Sequence, residues 1–105
     1  NQASLGVMEA AEQAKIIGIA SGRGMDSVAP NAVIVTVIKD TSIAYEEAYK
    51  MFIEDKVTDE ILYMGVNYGL IYLDPYLHDV PEDVAEKMDE IVESLKNNEI
   101  EISID

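Results

Sequence analysis

The groups able to do chemistry in this chain gather around one stretch, Ile16 to Lys39. An apolar run, Ile16–Ala20, gives way to a small-residue loop, Ser21–Asn31. A second apolar run, Ala32–Ile38, then ends on Lys39 and Asp40. A strand leading into a glycine-rich loop is where open α/β proteins hold ligands, beyond the carboxyl ends of their strands. The candidate ligand-binding groups are therefore Ser21, Gly22 and Asp26 in the loop and Lys39 at the end of the second run. Gln2 and Ser4 join them at the start of the segment that leads in. An ammonium such as Lys39 offers a polar ligand up to three donors without demanding one fixed geometry. Its competing role is that of a surface lysine beside Asp40. Asp26 is either a ligand acceptor or a turn-forming aspartate. Backbone amides around Gln2, Ala3 and Ser4 can donate to a sugar or an anion at a helix N-terminus, and the same residues serve equally as a plain cap.

Other reactive side chains carry less. His78 is the one histidine and lies between Leu77 and Asp79, with no second ligand at metal-binding spacing, so it reads as a surface residue before the last helix. Ser21-Gly22-Arg23-Gly24 lacks the GxGxxG spacing and the following helix of a dinucleotide loop. The many glutamates fall on helix faces and read as solvated surface, not catalytic pairs. No catalytic residue, metal site or cofactor is expected.

These groups need elements to position them. Val7, Met8, Ala11 and Ala14 share a helical face over 5–14, with Ser4 as a possible cap. Ile16–Ala20 is continuously apolar, as suits a strand covered on both faces. Ala32–Ile38 is rich in valine and isoleucine and is the clearest strand. From Ala44 to Ile53 the period changes to 3.6. Ala44, Tyr45, Ala48, Tyr49, Phe52 and Ile53 form an apolar stripe that predicts a core-facing helix to about Asp55, capped by Thr41 or Ser42. Tyr45 and Tyr49 belong to that expected core. Ile61–Val66 predicts another strand and Leu70–Leu73 a short extended piece, which Asp74-Pro75 ends. Pro81, Glu82 and Asp83 open a last amphipathic helix to Lys96. Ile100, Ile102 and Ile104 alternate with polar residues as a half-exposed strand. The order predicts an α/β fold, a mainly parallel sheet with flanking helices.

Composition sets the bounds. The 105 residues suffice for one domain, and half of them are hydrophobic. A balance of 7 basic to 21 acidic residues, a formal charge of −14, repels nucleic acid and anionic membrane surfaces, so no nucleic-acid partner is expected. It suits a neutral or cationic ligand, and equally a merely solvated acidic surface. No cysteine is present, and no apolar run approaches the roughly 20 residues of a membrane helix. The chain begins at Asn1 without a methionine, which points to a processed form or a fragment.

The run LGVMEAAEQAKIIGIASG, continuing through VAPNAVIVTVIKDTSIAYEEAY, resembles the C-terminal portion of the basic membrane protein family. These are extracytoplasmic substrate-binding lipoproteins of ABC transporters, and they include purine nucleoside receptors. The family's LGV-x-x-AA motif resembles Leu5-Gly6-Val7 with Ala10-Ala11. Its strand end and AP-(D/N) turn resemble Ile17-Gly18-Ile19 and Ala29-Pro30-Asn31, and its VVK strand end resembles Val37-Ile38-Lys39. Downstream, Met64-Gly65-Val66, Tyr68–Leu73 and Val80–Val84 resemble the family's LGL, GGVGLAP and VP-x-EV segments. No one motif is specific; their order and spacing are.

The resemblance implies a periplasmic-binding-protein-like (type I) bilobal fold that clamps its ligand between lobes. Residues 1–39 would be second-lobe elements, and 40–105 a hinge crossing and late elements, with Lys39–Ser42 a hinge candidate. It implies that Lys39 contacts ribose hydroxyls. The family's ribose-gripping aspartate falls on Ala20 and its second on Gly22, so Asp26, from a longer loop, would supply the carboxylate, while Arg23 adds an unexpected charge. Gln2, Ala3 and Ser4 stand where the family has a glycine-rich turn. The expected function is the extracytoplasmic solute-binding component of an ABC transporter, with a nucleoside-like ligand, a permease partner, and a membrane-anchored lipoprotein as the intact form. The alternatives are a ligand-sensing regulatory domain on the same scaffold, or a small α/β enzyme or signalling domain. A fragment with uncovered apolar faces is also expected to self-associate.

Overall fold

In a computed structural model, which describes residues 2–103, the chain is a mixed α/β protein whose contacts divide it into two units. One comprises residues 1–39 and 72–82, the other 40–71 and 83–105, so the chain changes unit after Lys39, Ile71 and Glu82.

The first unit opens with α1 (Gln2–Ala14), which begins earlier than its apolar period requires. β1 (Gly18–Ser21) follows, then α2 (Met25–Val28) and β2 (Val33–Lys39). β1 and β2 are parallel, with Ala20 opposite Thr36 and Ser21 opposite Val37. β3 (Ile71–Leu73) lies on the other side of β2, giving the order β1-β2-β3. The chain leaving it runs antiparallel to β2, because the Asp74 N–H donates to Thr36 O at 3.0 Å and the Leu77 N–H to Ile34 O at 2.9 Å. The sheet is thus small and mixed, not mainly parallel: 71–77 returns antiparallel along the free edge of β2.

The core of this unit is made of small and flexible side chains. Met8 and Ala11 of α1 pack on Ala20, Met25, Ala29, Ala32 and Val33. Gly18 permits that approach: a Cβ there would lie 3.2 Å from the Met8 Sδ. The loop after β1 is not wholly irregular. Gly24, at φ 85°, starts the single turn α2, which buries Met25. One expectation fails here. The strand starts at Gly18, not Ile16, and the apolar run is not covered on both faces, since Ile16 and Ile17 before β1 and Ile19 within it are 59–72% exposed. Helix α1 reaches only the opposite side.

The second unit contains α3 (Thr41–Ile53) and α4 (Glu82–Lys96, apart from Glu82 itself), with a 3₁₀ turn at Val66–Tyr68. Asp40, not Thr41 or Ser42, caps α3, its carboxylate accepting from the Ser42 N–H at 3.2 Å and the Ser42 hydroxyl at 2.6 Å. The apolar stripe of α3 is not core. Tyr45 is 77% exposed, Tyr49 66% and Phe52 72%, and no residue of α3 is buried. Residues 61–66 form no strand. Among the described residues no neighbouring strand pairs with them, and an unpaired segment keeps its amides in water. Gly65 O instead closes a turn by accepting from the Leu70 N–H at 3.0 Å. Residues 100–103 are likewise unpaired coil, and the Ile104 end of that expected strand lies outside the described residues.

Candidate functional site

The carboxyl end of β1 and the first two turns of α1 enclose a cleft of about 330 Å³. Ser4, Val7 and Met8 line it from α1, Ile19, Ala20 and Ser21 from β1, and Met25 from α2. The local reasons are short. α1 is joined to β1 by a turn at Lys15, whose positive φ of 56° reverses the chain, so the helix start returns to the strand end. The walls are apolar and two hydroxyls, on Ser4 and Ser21, supply the polar groups. Mostly apolar walls with a few placed hydrogen-bonding groups are what a small-molecule cleft requires.

Lys39 stands at the same sheet edge. Ser21 is opposite Val37, so Lys39 is two residues further along the neighbouring strand and on the same face as Ser21. Its side chain is exposed and has no hydrogen bond or ion pair among the described residues. The ammonium is therefore open to a ligand or to water.

The remaining sequence candidates separate. The Gly22 N–H is already used, donating to Val37 O at 3.0 Å, and its φ of 95° is one that favours glycine. What Gly22 contributes is the turn that lifts the loop off the strand end. Asp26 does not line the Ser4–Ser21 cleft. Its place on α2 sets it instead on a smaller cavity with Thr36, Asp74, Pro75 and Leu77. The Gln2 side chain lies outside what is described. Arg23 is held across the unit, its guanidinium donating to the Tyr72 hydroxyl at 2.8 Å.

Glu12 has a role that sequence reasoning missed. Its carboxylate accepts from the Asn31 side-chain amide, from the Asn31 N–H at 3.0 Å and from the Ala32 N–H at 2.8 Å. The Asn31 side-chain bond, aided by the two backbone bonds and by the nearby His78, lowers its pKa below the ordinary glutamate value, and partial burial opposes that shift. His78 closes the same turn, Nε2 lying 2.8 Å from Pro30 O, so this exposed histidine is structurally engaged. The signal for Glu12 was the Ala-Pro-Asn turn itself, whose following amides need an acceptor.

A second cleft, of about 390 Å³ in the other unit, is lined by Ala44, Ala48 and Met51 of α3 and by Val57, Ile61 and Leu62 among others. It is larger and carries Thr58 and Glu60 among its apolar walls, but it holds none of the candidate residues. Among the described residues no three ligating side chains converge as a metal site would require. Among the described residues no helix is long and apolar enough to cross a membrane. No family model matches this chain, and no curated protein matches it.

Proposed function

We propose that this chain is the C-terminal portion of a solute-binding protein of an ABC transporter, on a type I bilobal scaffold, taking a small polar ligand such as a nucleoside. The observation that carries the reading is the placement of Ser4, Ser21 and Lys39 at one end of the β1–β2 pair. Hydroxyls there meet an apolar cleft, and an uncommitted ammonium stands beyond its lining, on the strand face that Ser21 shares. The chemistry suits an amphiphilic ligand. A flat base lies against Val7, Met8 and Met25, and sugar hydroxyls exchange hydrogen bonds with Ser21 and Lys39. No catalytic step is assigned, and the activity is binding alone. The order of motifs along the chain supports the same reading, as does the change of unit immediately after Lys39, where a hinge crossing is expected. On this reading the intact protein is an extracytoplasmic lipoprotein that delivers its solute to a permease.

The test is thermal unfolding of the chain in the presence of purine nucleosides, free ribose and a panel of other small polar solutes. A ligand at about a hundred times its Kd stabilises by about 2.7 kcal/mol, a readily measured rise in Tm. Stabilisation by nucleosides above that by ribose supports the reading. No rise with any solute at 10 mM, on the order of the weakest useful affinity, counts against it.

A further inference from the structure

We infer that the first unit holds a second binding site, for a small primary alkylammonium, in the cavity of about 170 Å³ between Asp26, Thr36, Asp74, Pro75 and Leu77. The walls are built, not incidental. The segment from Asp74 to Leu77 is fixed to β2 by the Asp74 N–H to Thr36 O and Leu77 N–H to Ile34 O bonds, and Asp26 is carried on α2.

Three acceptors line this space and none is committed. The carboxylates of Asp26 and Asp74 have no hydrogen bond or ion pair from their side chains among the described residues. Thr36 is 5% exposed, lies in the middle of β2, and its hydroxyl also has no partner among them. A hydroxyl so buried is normally hydrogen-bonded, and this one is not hidden from water altogether, since among the described residues no fully enclosed side-chain polar atom lacks a partner. It reaches water through the cavity that it lines.

An ammonium has three N–H donors and no acceptor, which matches two carboxylates and a hydroxyl in number, and its charge is opposite in sign to that of the carboxylates. Pro75 and Leu77 give the alkyl stem an apolar wall. The volume corresponds to about six waters at about 30 Å³ each, room for a chain of about four carbons. A bare divalent cation fits less well, because it demands six or more oxygen ligands. The inference is independent of the nucleoside reading, whose cleft does not include these residues.

The experiment is a ¹H–¹⁵N titration of the chain with n-butylammonium chloride at constant ionic strength. Tetramethylammonium chloride and calcium chloride are run in parallel. Saturable shifts of the Thr36 and Asp74 amides with butylammonium alone are expected. Asp74→Asn and Thr36→Val should each weaken binding, the former by about tenfold, as loss of one charge-assisted hydrogen bond implies. Thr36→Val is nearly isosteric, and Asp26→Asn on the exposed α2 turn gives a further variant should Asp74→Asn disturb the fold. Shifts that grow without saturating, equal shifts from tetramethylammonium or calcium, or wild-type affinity in Thr36→Val would overturn the inference.

Discussion

Two substitutions of similar chemistry should differ several-fold in cost, because the apolar residues of the two units are not equivalent. Ile38 on β2 is 1% exposed, whereas Phe52 on α3 is 72% exposed. Ile38→Ala removes three carbons, about 2.4 kcal/mol at about 0.8 kcal/mol each, and incomplete collapse of the hole brings the loss to about 3 kcal/mol. A buried Phe→Ala change costs about 3–5 kcal/mol. Phe52 has roughly a quarter of its surface covered, so Phe52→Ala should cost about 1 kcal/mol or less. Urea unfolding followed by far-UV circular dichroism reads both. With m of about 1.5 kcal/mol/M, Ile38→Ala lowers the midpoint by about 2 M and Phe52→Ala by well under 1 M. Equal losses would refute the assignment of the α3 stripe as uncovered surface. Repeating the Phe52→Ala measurement over a range of protein concentration would then show whether a second copy covers it, since association makes stability depend on concentration.

Other consequences follow from single contacts. The pKa of Glu12 is depressed in the folded chain, so its contribution is fully present above the ordinary glutamate value of 4.5 and is lost as pH falls through the lower folded value. Acid unfolding of Glu12→Gln should therefore be less steep than that of the parent below about pH 4.5, and identical slopes would refute the hold of Glu12 on the Asn31–Ala32 amides. Gly24→Ala, at φ 85°, should destabilise by about 1–2 kcal/mol, whereas Gly6→Ala within α1, where a Cβ meets nothing within 4 Å, should stabilise by about 0.5–1 kcal/mol. Asp40→Ala removes the cap of α3 and should cost about 1 kcal/mol, with a visible loss of helical signal at 222 nm.

What could be read from the sequence depended on how local its cause was. The valine and isoleucine run of β2 and the 3.6 period of α3 and α4 are properties of neighbouring residues, and those elements form within a residue or two of expectation. A strand is not local. Ile61–Val66 has the composition of one and is coil, because pairing needs a partner that these residues do not have among those described. The stripe of α3 predicted its helix correctly and its burial wrongly, since period says which face is apolar and not what covers it. The site divides in the same way. Ser21 and Lys39 could be placed at one sheet edge because each ends a readable strand. Asp26 could not, because one turn of helix after Gly24 carries it to a different cavity. Thr36 and Asp74 gave no sign, for they meet only through the return of 74–77 along β2.

The central claim, that the cleft at the end of β1 receives a sugar-bearing solute with Lys39 at its rim, is tested most directly by one titration. Inosine would be added to ¹⁵N-labelled chain and to its Lys39→Met variant, which keeps the stem and removes the ammonium. The account predicts saturable shifts at Ser4, Ser21 and Lys39 and about tenfold weaker binding in the variant, the equivalent of one hydrogen bond to a charged group. Shifts absent from Ser4 and Ser21, or equal affinity in the two proteins, would contradict it.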